Sequence, residues 1–140
     1  MKGAHSIAAV ILTIGDELLI GQTIDTNSAW MATVLNQAGI SVKRRVAVGD
    51  DWNEIWEALT TEGKAADIVL ITGGLGPTSD DITKPLLCDF IGGKMVKDQA
   101  ALDNVIEIFS KKLNRPLLER NLKQAEVPDN CRVIQNKRGT

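Results

Sequence analysis

The sequence contains a single histidine and only two cysteines among its 140 residues. Cys88 and Cys131 form no C-x-x-C pair and have no histidine nearby, which argues against a zinc site and favours buried thiols in a reducing cytoplasm. Because His5 is the only histidine, the sequence offers no Ser–His or Cys–His pair for nucleophilic catalysis. Carboxylates acting with a metal ion are the chemical machinery that this composition leaves.

Long apolar runs and blocks of positive charge are missing as well. The apolar run 7–14 is only about eight residues long, whereas a membrane helix needs about 18–20 apolar residues and a signal peptide needs a cleavage site of small residues. The chain has 16 basic and 18 acidic residues, a net charge of −2. Its densest positive run, 43–45, is typical of an exposed strand rather than a nucleic-acid patch. We therefore expect a cytoplasmic protein that binds neither membranes nor nucleic acids.

What the sequence does contain is an alternation of strand and helix patterns. Its length and its 44% hydrophobic content fit one domain with a real core. Strands are predicted at 7–14, 42–48 and 67–72, and helices at about 26–38, 51–63 and 83–91. A helix from Asp98, a short helix at 117–125, a turn at 127–130 and a last strand at 131–135 complete the prediction. The order of the first six elements predicts an α/β fold with a mainly parallel, Rossmann-like sheet and helices on both faces.

A polar loop follows each of the first three predicted strands, at 15–27, 49–51 and 73–82. In a parallel sheet the carboxyl ends of the strands lie at one edge, and ligands bind in the crevice outside it. We therefore expect these three loops to converge on one site.

The most informative stretch is 68–84, IVLITGGLGPTSDDITK, which is predicted to begin as a fully buried strand. The loop after it contains Gly73, Gly74, Gly76 and Pro77, followed by Thr78, Asp80 and Asp81. Glycines let the backbone approach a ligand closely, and amides in such a turn can point together at phosphate. Two adjacent carboxylates would repel phosphate unless a cation such as Mg²⁺ bridges them. The alternative is that both aspartates serve only the turn, where Asp is common.

Other carboxylates at the same edge have both a functional and a structural interpretation. Asp51 and Glu54 have the spacing of a helix cap, which leaves Asp50 as the site carboxylate of its loop. Asp16 and Glu17 either belong to the site or cap a short turn. The glycine loop itself matches neither a Walker loop nor the G-x-G-x-x-G pattern, so it is a weak signal alone.

Three further polar side chains flank these loops. Asn27 either caps the first helix, which Asp25 or Thr26 can also begin, or contacts a ribose or a base. Thr83 is predicted as the N-cap of a helix with Pro85 in its first turn. Lys84 either reaches a phosphate as a point charge or is a solvated lysine.

With these loops in view, the sequence resembles a known family. The stretches TIGDELLIGQTIDTNSAWMATVLNQAGISV, VGDD and TGGLGPTSDDITK are similar to the N-terminal domain of CinA, the competence/damage-inducible protein A. That domain belongs to the molybdopterin-binding superfamily of MoaB, MogA and MoeA. The later stretches NLKQAEVPDN and NKRGT also resemble CinA, so the resemblance covers nearly the whole chain.

The resemblance implies a three-layer α/β/α sandwich and a set of site residues. In related molybdopterin adenylyltransferases, two aspartates and the glycine loop serve the pterin phosphate and a divalent metal. Asp50 and Asp81 match those two aspartates, and Thr83 matches the threonine after the second one. CinA domains of this type are associated with metal-dependent hydrolysis of ADP-ribose at its pyrophosphate. The expected cofactor is therefore Mg, Mn or Co, held by Asp80 and Asp81 with Asp50.

The resemblance also implies an assembly and a chain organisation. Superfamily members form dimers or trimers, so a homo-oligomer is expected. Residues 1–140 would be a CinA N-terminal domain cut short, because CinA runs on into an Ala-Pro-Gly loop and a separate C-terminal domain that deamidates nicotinamide mononucleotide. Two other functions stay open: binding a molybdopterin or nucleotide phosphate without turnover, and a role mainly in oligomer assembly.

Overall fold

The most apolar run of the sequence forms the central strand of a parallel sheet. A computed structural model describes residues 6–76, 78, 81–112 and 116–136. In it, β1 (Ala8–Ile14) lies between β2 (Ser41–Val48) and β3 (Ile68–Thr72), and both pairings are parallel. Every residue of β1 is buried, as expected for a strand covered on both faces. This confirms the predicted α/β class with a parallel sheet.

The chain divides into two compact units, Met1–Gly74 and Leu75–Thr140. The parallel sheet belongs to the first unit. The strand β3 was predicted to be fully buried, but each of its five residues is only half-buried. The physical reason is its place in the sheet, since among the described strands β3 pairs with β1 alone.

In the described part of the first unit, three helices accompany the sheet: α1 (Asp16–Leu19), α2 (Thr26–Gln37) and α3 (Trp52–Ala65). The sequence predicted α2 and α3 but interpreted the one-turn α1 as loop. Asp51 caps α3 as expected, by accepting hydrogen bonds from the backbone N–H groups of Asn53 and Glu54 at 2.9 and 3.0 Å. Of the apolar residues of α3, Ile55 and Leu59 are buried, whereas Trp56 is 38% exposed.

The second unit contains the helix α4 (Thr83–Phe90), the strand β4 (Met95–Lys97) and the helix α5 (Gln99–Glu107). The helix α5 continues as a π-helical segment, Ile108–Lys112. After it come α6 (Glu119–Leu122), a 3-10 turn (Lys123–Ala125) and the strand β5 (Glu126–Pro128). Asp98 caps α5 as predicted, accepting a hydrogen bond from the backbone N–H of Ala101 at 2.7 Å.

Two sequence predictions need correction in this unit. Of the predicted turn at 127–130, residues 129 and 130 form a turn, whereas 127 and 128 belong to β5, which pairs antiparallel with β4. The predicted strand 131–135 was wrong, since this segment has no regular secondary structure. Each of the two observed strands is only three residues long, which is too short to produce an alternating pattern.

The two cysteines have different environments, which corrects the expectation that both are buried. Cys88 lies inside the core of the second unit with Leu86 and Val105, whereas Cys131 is exposed. Both are free thiols. No helix in the described part of the chain is long and apolar enough to cross a membrane.

Candidate functional site

The first two polar loops meet through a reciprocal pair of hydrogen bonds. The backbone N–H of Asp16 donates to Oδ2 of Asp50 at 3.1 Å, and the backbone N–H of Asp50 donates to Oδ1 of Asp16 at 3.0 Å. Both residues lie just past the carboxyl ends of the paired strands β1 and β2. Because β1 and β2 pair in parallel, both residues lie at the same edge of the sheet. Each carboxylate then holds the backbone N–H group of the other aspartate.

This aspartate pair depends on a glycine. A Cβ on Gly49 would lie 2.6 Å from Oδ1 of Asp16, so a larger residue would displace that carboxylate. Among the described residues, no donor reaches the second oxygen of either aspartate. Carboxylate oxygens are ligands that divalent cations prefer, so a cation at this aspartate pair remains a prediction.

Glu17 and Asn27, both candidates from the sequence, make no contact within residues 6–76, 78, 81–112 and 116–136 that points to a ligand. The main-chain carbonyl of Glu17 accepts hydrogen bonds from the N–H groups of Gln22 and Thr23 at 2.9 and 3.1 Å, so this residue organises the turn. Asn27 lies exposed in the first turn of α2, and the cap of that helix is Asp25. The interpretation of Asn27 as a cap was therefore wrong, and its contact with a ribose or base stays a prediction.

Asp25 has a larger role than the sequence indicated. Its carboxylate accepts from the backbone N–H of Ser28 at 2.9 Å, from the Ser28 hydroxyl and from the Thr13 hydroxyl at 3.0 Å. Arg45 in turn donates to the Ser28 hydroxyl at 3.3 Å. Burial alone would raise the pKa of Asp25, but these hydrogen bonds and the Arg45 charge outweigh it and lower the pKa. The only sign of this role in the sequence was the position of Asp25 at the start of a predicted helix.

The glycine loop leaves β3 in a backbone conformation that favours glycine. Gly73 and Gly74 have φ of +98° and +61°. A Cβ on Gly73 would collide with the carbonyl oxygen of Ile14, the last residue of β1. The loop therefore begins in direct contact with the end of the neighbouring strand.

Further along the loop, backbone and hydroxyl donors converge on the Asp81 carboxylate. The backbone N–H of Thr78 donates to Oδ2 of Asp81 at 3.0 Å, and the Thr78 hydroxyl donates to the same oxygen. The hydroxyl of Thr78 is the main cause of a lowered pKa of Asp81; burial opposes it, and the amides of Thr78 and Gly76 add to it. Gly76 lies so close that a Cβ on it would be 2.5 Å from Oδ2 of Asp81. Donors that were predicted to hold a phosphate thus hold a carboxylate here.

Thr83 and Lys84 begin α4 in ways the sequence did not predict. The N-cap is Ile82, which makes no side-chain cap bond, so Thr83 is not the cap. Thr83 is fully buried, and its hydroxyl has no partner among the described residues.

Lys84 is half-buried and donates from Nζ to the carbonyls of Gln124 and Glu126 at 3.1 and 2.8 Å. Burial lowers the pKa of Lys84, and the charge of Glu126 partly opposes this. Its contact with a phosphate stays a prediction.

The metal site predicted at Asp80, Asp81 and Asp50 is only partly described. Asp80, Pro77 and His5 lie outside the described residues. Asp50 belongs to the first unit and Asp81 to the second. Within the described part of the chain, no three His, Cys, Asp or Glu side chains cluster closely enough to hold an ion. The metal therefore remains a prediction that rests on carboxylate chemistry.

Comparison with known proteins agrees with the family resemblance. The model of the family described as "Probable molybdopterin binding domain" matches residues 10–130. A "CinA-like protein" of Flavobacterium psychrophilum is 42% identical over 132 residues, which is 94% of this chain and 32% of the relative. The chain thus spans about a third of the length of the curated relatives it matches.

Solved structures give the same result. The protein CinA of Thermoplasma acidophilum, whose function is given as unknown, superposes with a TM-score of 0.83 at 35% identity, over 97% of this chain and 79% of that one. The tungsten cofactor synthesizing protein MoaB of Pyrococcus furiosus superposes with a TM-score of 0.59 at 21% identity, over 77% of this chain and 66% of that one, which shows a shared fold. The chain belongs to the molybdopterin-binding domain family and, within it, to the CinA-like proteins.

Proposed function

We propose that this chain binds the pyrophosphate of a nucleotide and, with a divalent metal, hydrolyses ADP-ribose or a similar nucleotide. The observation that carries the proposal is the convergence of loop donors on Asp81. A loop that already points an amide and a hydroxyl at a carboxylate is arranged to receive an anion. A phosphate oxygen has the same acceptor chemistry and would take these donors when Asp81 turns toward a cation.

The remaining residues have roles that follow from their contacts. Asp16 would position Asp50, because each carboxylate holds the other's backbone N–H. The glycine-loop amides would stabilise the negative charge that develops on the phosphate. Carboxylate oxygens suit Mg²⁺, Mn²⁺ or Co²⁺, so Asp50, Asp80 and Asp81 would hold the ion. When bound, it would neutralise phosphate charge and activate water.

Release of AMP and ribose 5-phosphate from ADP-ribose tests the proposal. We would measure it with Mg²⁺, Mn²⁺ or Co²⁺, on this chain and on the longer Flavobacterium psychrophilum relative. We expect Asp81→Asn to abolish turnover while circular dichroism shows an intact fold. Asp51→Asn is the matched control, because Asn caps a helix as well as Asp does and turnover should persist. Wild-type rates from folded Asp81→Asn, or full activity in excess EDTA, would refute the assignment.

A second candidate is a module that binds a nucleotide or pterin phosphate without turnover. It is favoured by the amide and hydroxyl donors of Thr78, which can hold a phosphate oxygen without a metal ion. Calorimetry distinguishes the two functions. Saturable binding of ADP-ribose by both proteins, with no product after prolonged incubation in any of the three metals, would establish the binding module.

A further inference from the structure

A cavity of about 350 Å³ lies in the first unit, at the edge of the parallel sheet where the strands begin. Its lining comes from the first residues of the strands and from the end of α3, and it includes Ser6, Lys43, Lys64 and Asp67. The aspartate pair of the candidate site lies past the opposite ends of the strands. Because the seven residues of β1 rise about 3.3 Å each, the two places are about 20 Å apart. The cavity is therefore separate from that site.

A β-bulge places Lys43 at this cavity. Where β1 pairs with β2, Ala9 is opposite Val42, but the next residue, Val10, is opposite Arg44. Lys43 is thus the extra residue of the bulge. Such a residue is left out of the ladder, the strand bends around it, and its side chain is aimed in a new direction. The irregularity in β2 therefore coincides with the contribution of Lys43 to the cavity wall.

Two lysines of this cavity have no acidic partner. Arg44, beside Lys43, pairs with the buried Glu62 at 2.8 Å. Neither Lys43 nor Lys64 forms an ion pair with any residue that the structure describes, although Asp67 lines the same cavity. Each lysine ammonium has a positive charge and three hydrogen-bond donors. The cavity therefore contains two cationic groups that can receive an anion from solution.

The negative charge at this cavity is smaller than the positive charge. Oδ2 of Asp67 accepts from the backbone N–H of Ala8 at 2.8 Å, and the N–H of Asp67 donates to the carbonyl of Ala8 at 2.9 Å. Asp67 thus joins the beginnings of β1 and β3. The carbonyl end of α3 adds about half a negative charge. One carboxylate and this helix end do not balance two ammonium groups, so the cavity favours an anion.

We propose that this cavity binds a small dianion, either a phosphate monoester or a dicarboxylate, between Lys43 and Lys64. Its volume is near the lower end of the roughly 300–1,000 Å³ of ligand pockets, which suits a ligand of a few carbon atoms. The two ammonium groups would hold the anionic oxygens, and the Ser6 hydroxyl would donate a further hydrogen bond. Because the cavity lies at the edge of the sheet opposite the candidate site, the proposal does not depend on the proposed function.

Titration with inorganic phosphate and with succinate tests the site, followed by NMR of the backbone amides in buffer containing EDTA. We expect the amide signals of Ala8, Ala66 and Asp67 to shift with a Kd of about 1 mM or tighter for at least one probe. The probe that binds more tightly identifies the class of anion. A Kd weaker than about 1 mM for both probes at these amides, or shifts confined to the glycine loop, would overturn the proposal.

Removal of either lysine charge should weaken binding of that probe. Lys43→Gln and Lys64→Gln each lose a charge-assisted hydrogen bond, so we expect the Kd to rise about tenfold in each. Lys43→Arg keeps the charge and should keep most of the affinity. Lys97→Gln is the matched control, because Lys97 is an exposed lysine on β4 outside the lining. Equal affinities in the three glutamine variants would contradict the assignment.

Asp67→Asn should change the affinity in the opposite direction. The asparagine Oδ1 can still accept from the N–H of Ala8, so the fold should persist while one negative charge is removed from the cavity. We expect the Kd for the dianion to fall about threefold to fivefold, because a neighbouring charge at the surface contributes about that much. Weaker binding by folded Asp67→Asn would mean that the carboxylate holds the ligand, which contradicts a dianion site.

Discussion

At the scale of single residues, Asp25 joins a helix start to the sheet. Its carboxylate holds the hydroxyls of Thr13 and Ser28, which are 4% and 1% exposed. Asp25→Ala should therefore lose the helix cap, worth about 1 kcal/mol, and leave the buried Thr13 hydroxyl unsatisfied, at about 1–3 kcal/mol, while the Ser28 hydroxyl keeps its bond from Arg45. We expect a loss of about 2–4 kcal/mol in the free energy of unfolding, measured in urea.

Asp51 is the control for Asp25, because its carboxylate serves only as a helix cap. Asp51 accepts only from backbone amides at an exposed helix start, so Asp51→Ala should cost about 1 kcal/mol. Equal losses in the two variants would show that the contacts of Asp25 with Thr13 and Ser28 contribute nothing.

The carboxyl group of Asp81 should titrate according to its contact with Thr78. The Thr78 hydroxyl holds the pKa of Asp81 below the ordinary 3.8. A lowered carboxyl pKa stabilises the fold above the ordinary value, and that contribution is lost as the pH falls through the folded-state pKa. Thr78→Val should raise the pKa of Asp81 toward 3.8, and Thr78→Ser should keep it low. Carbon NMR of the carboxyl group measures both, and an unshifted pKa in Thr78→Val would contradict the contact.

At the scale of elements, two glycines should respond to alanine in opposite directions. In Gly73→Ala the new side chain would have to adopt a φ of +98°, which costs about 1–2 kcal/mol. It would also collide with the Ile14 carbonyl, so the ends of β1 and β3 must move apart. We therefore expect the free energy of unfolding to fall by several times that conformational cost. Gly63 lies inside α3 with open space around it, so Gly63→Ala should stabilise by about 0.5–1 kcal/mol. Urea unfolding compares them, and a Gly73→Ala variant as stable as wild type would contradict the close contact.

The elements that the sequence predicted are those with a strong local signal. The apolar run of β1 and the caps at Asp51 and Asp98 each identify an element by nearby residues alone. No such local signal marks β4 and β5, because these two strands form by pairing with each other; Val96, for example, pairs with Val127. A contact between residues so distant in the sequence is invisible to periodicity.

The candidate site likewise combines contacts that the sequence predicts with contacts that it does not. That Asp16 and Asp50 come together was predictable, because each follows a strand and the two strands pair in parallel. The reciprocal hydrogen bonds between them, and the hold of Thr78 on Asp81, were not. Such contacts depend on backbone directions inside loops, which composition and spacing do not specify.

At the scale of the whole molecule, the two cysteines offer a probe of opening in the second unit. Burial raises the pKa of the Cys88 thiol, and the charges of Asp89 and Asp129 and the Cys131 group raise it further. Because the thiolate is the reactive form, Cys88 is protected by both inaccessibility and protonation. Cys131 is exposed and lies on the surface of the same unit, so it lacks the protection of burial.

We therefore expect one fast and one slow thiol when the native protein reacts with a disulfide reagent at pH 8. Reaction of Cys88 requires the second unit to open, and a free energy of opening of about 5 kcal/mol would slow it by more than a thousandfold. Cys131→Ser should remove the fast phase and Cys88→Ser should leave it unchanged, while urea should accelerate the slow phase. A fast phase that survives Cys131→Ser would mean that Cys88 is accessible in the native protein, and that the second unit lacks the closed core built around α4 and α5.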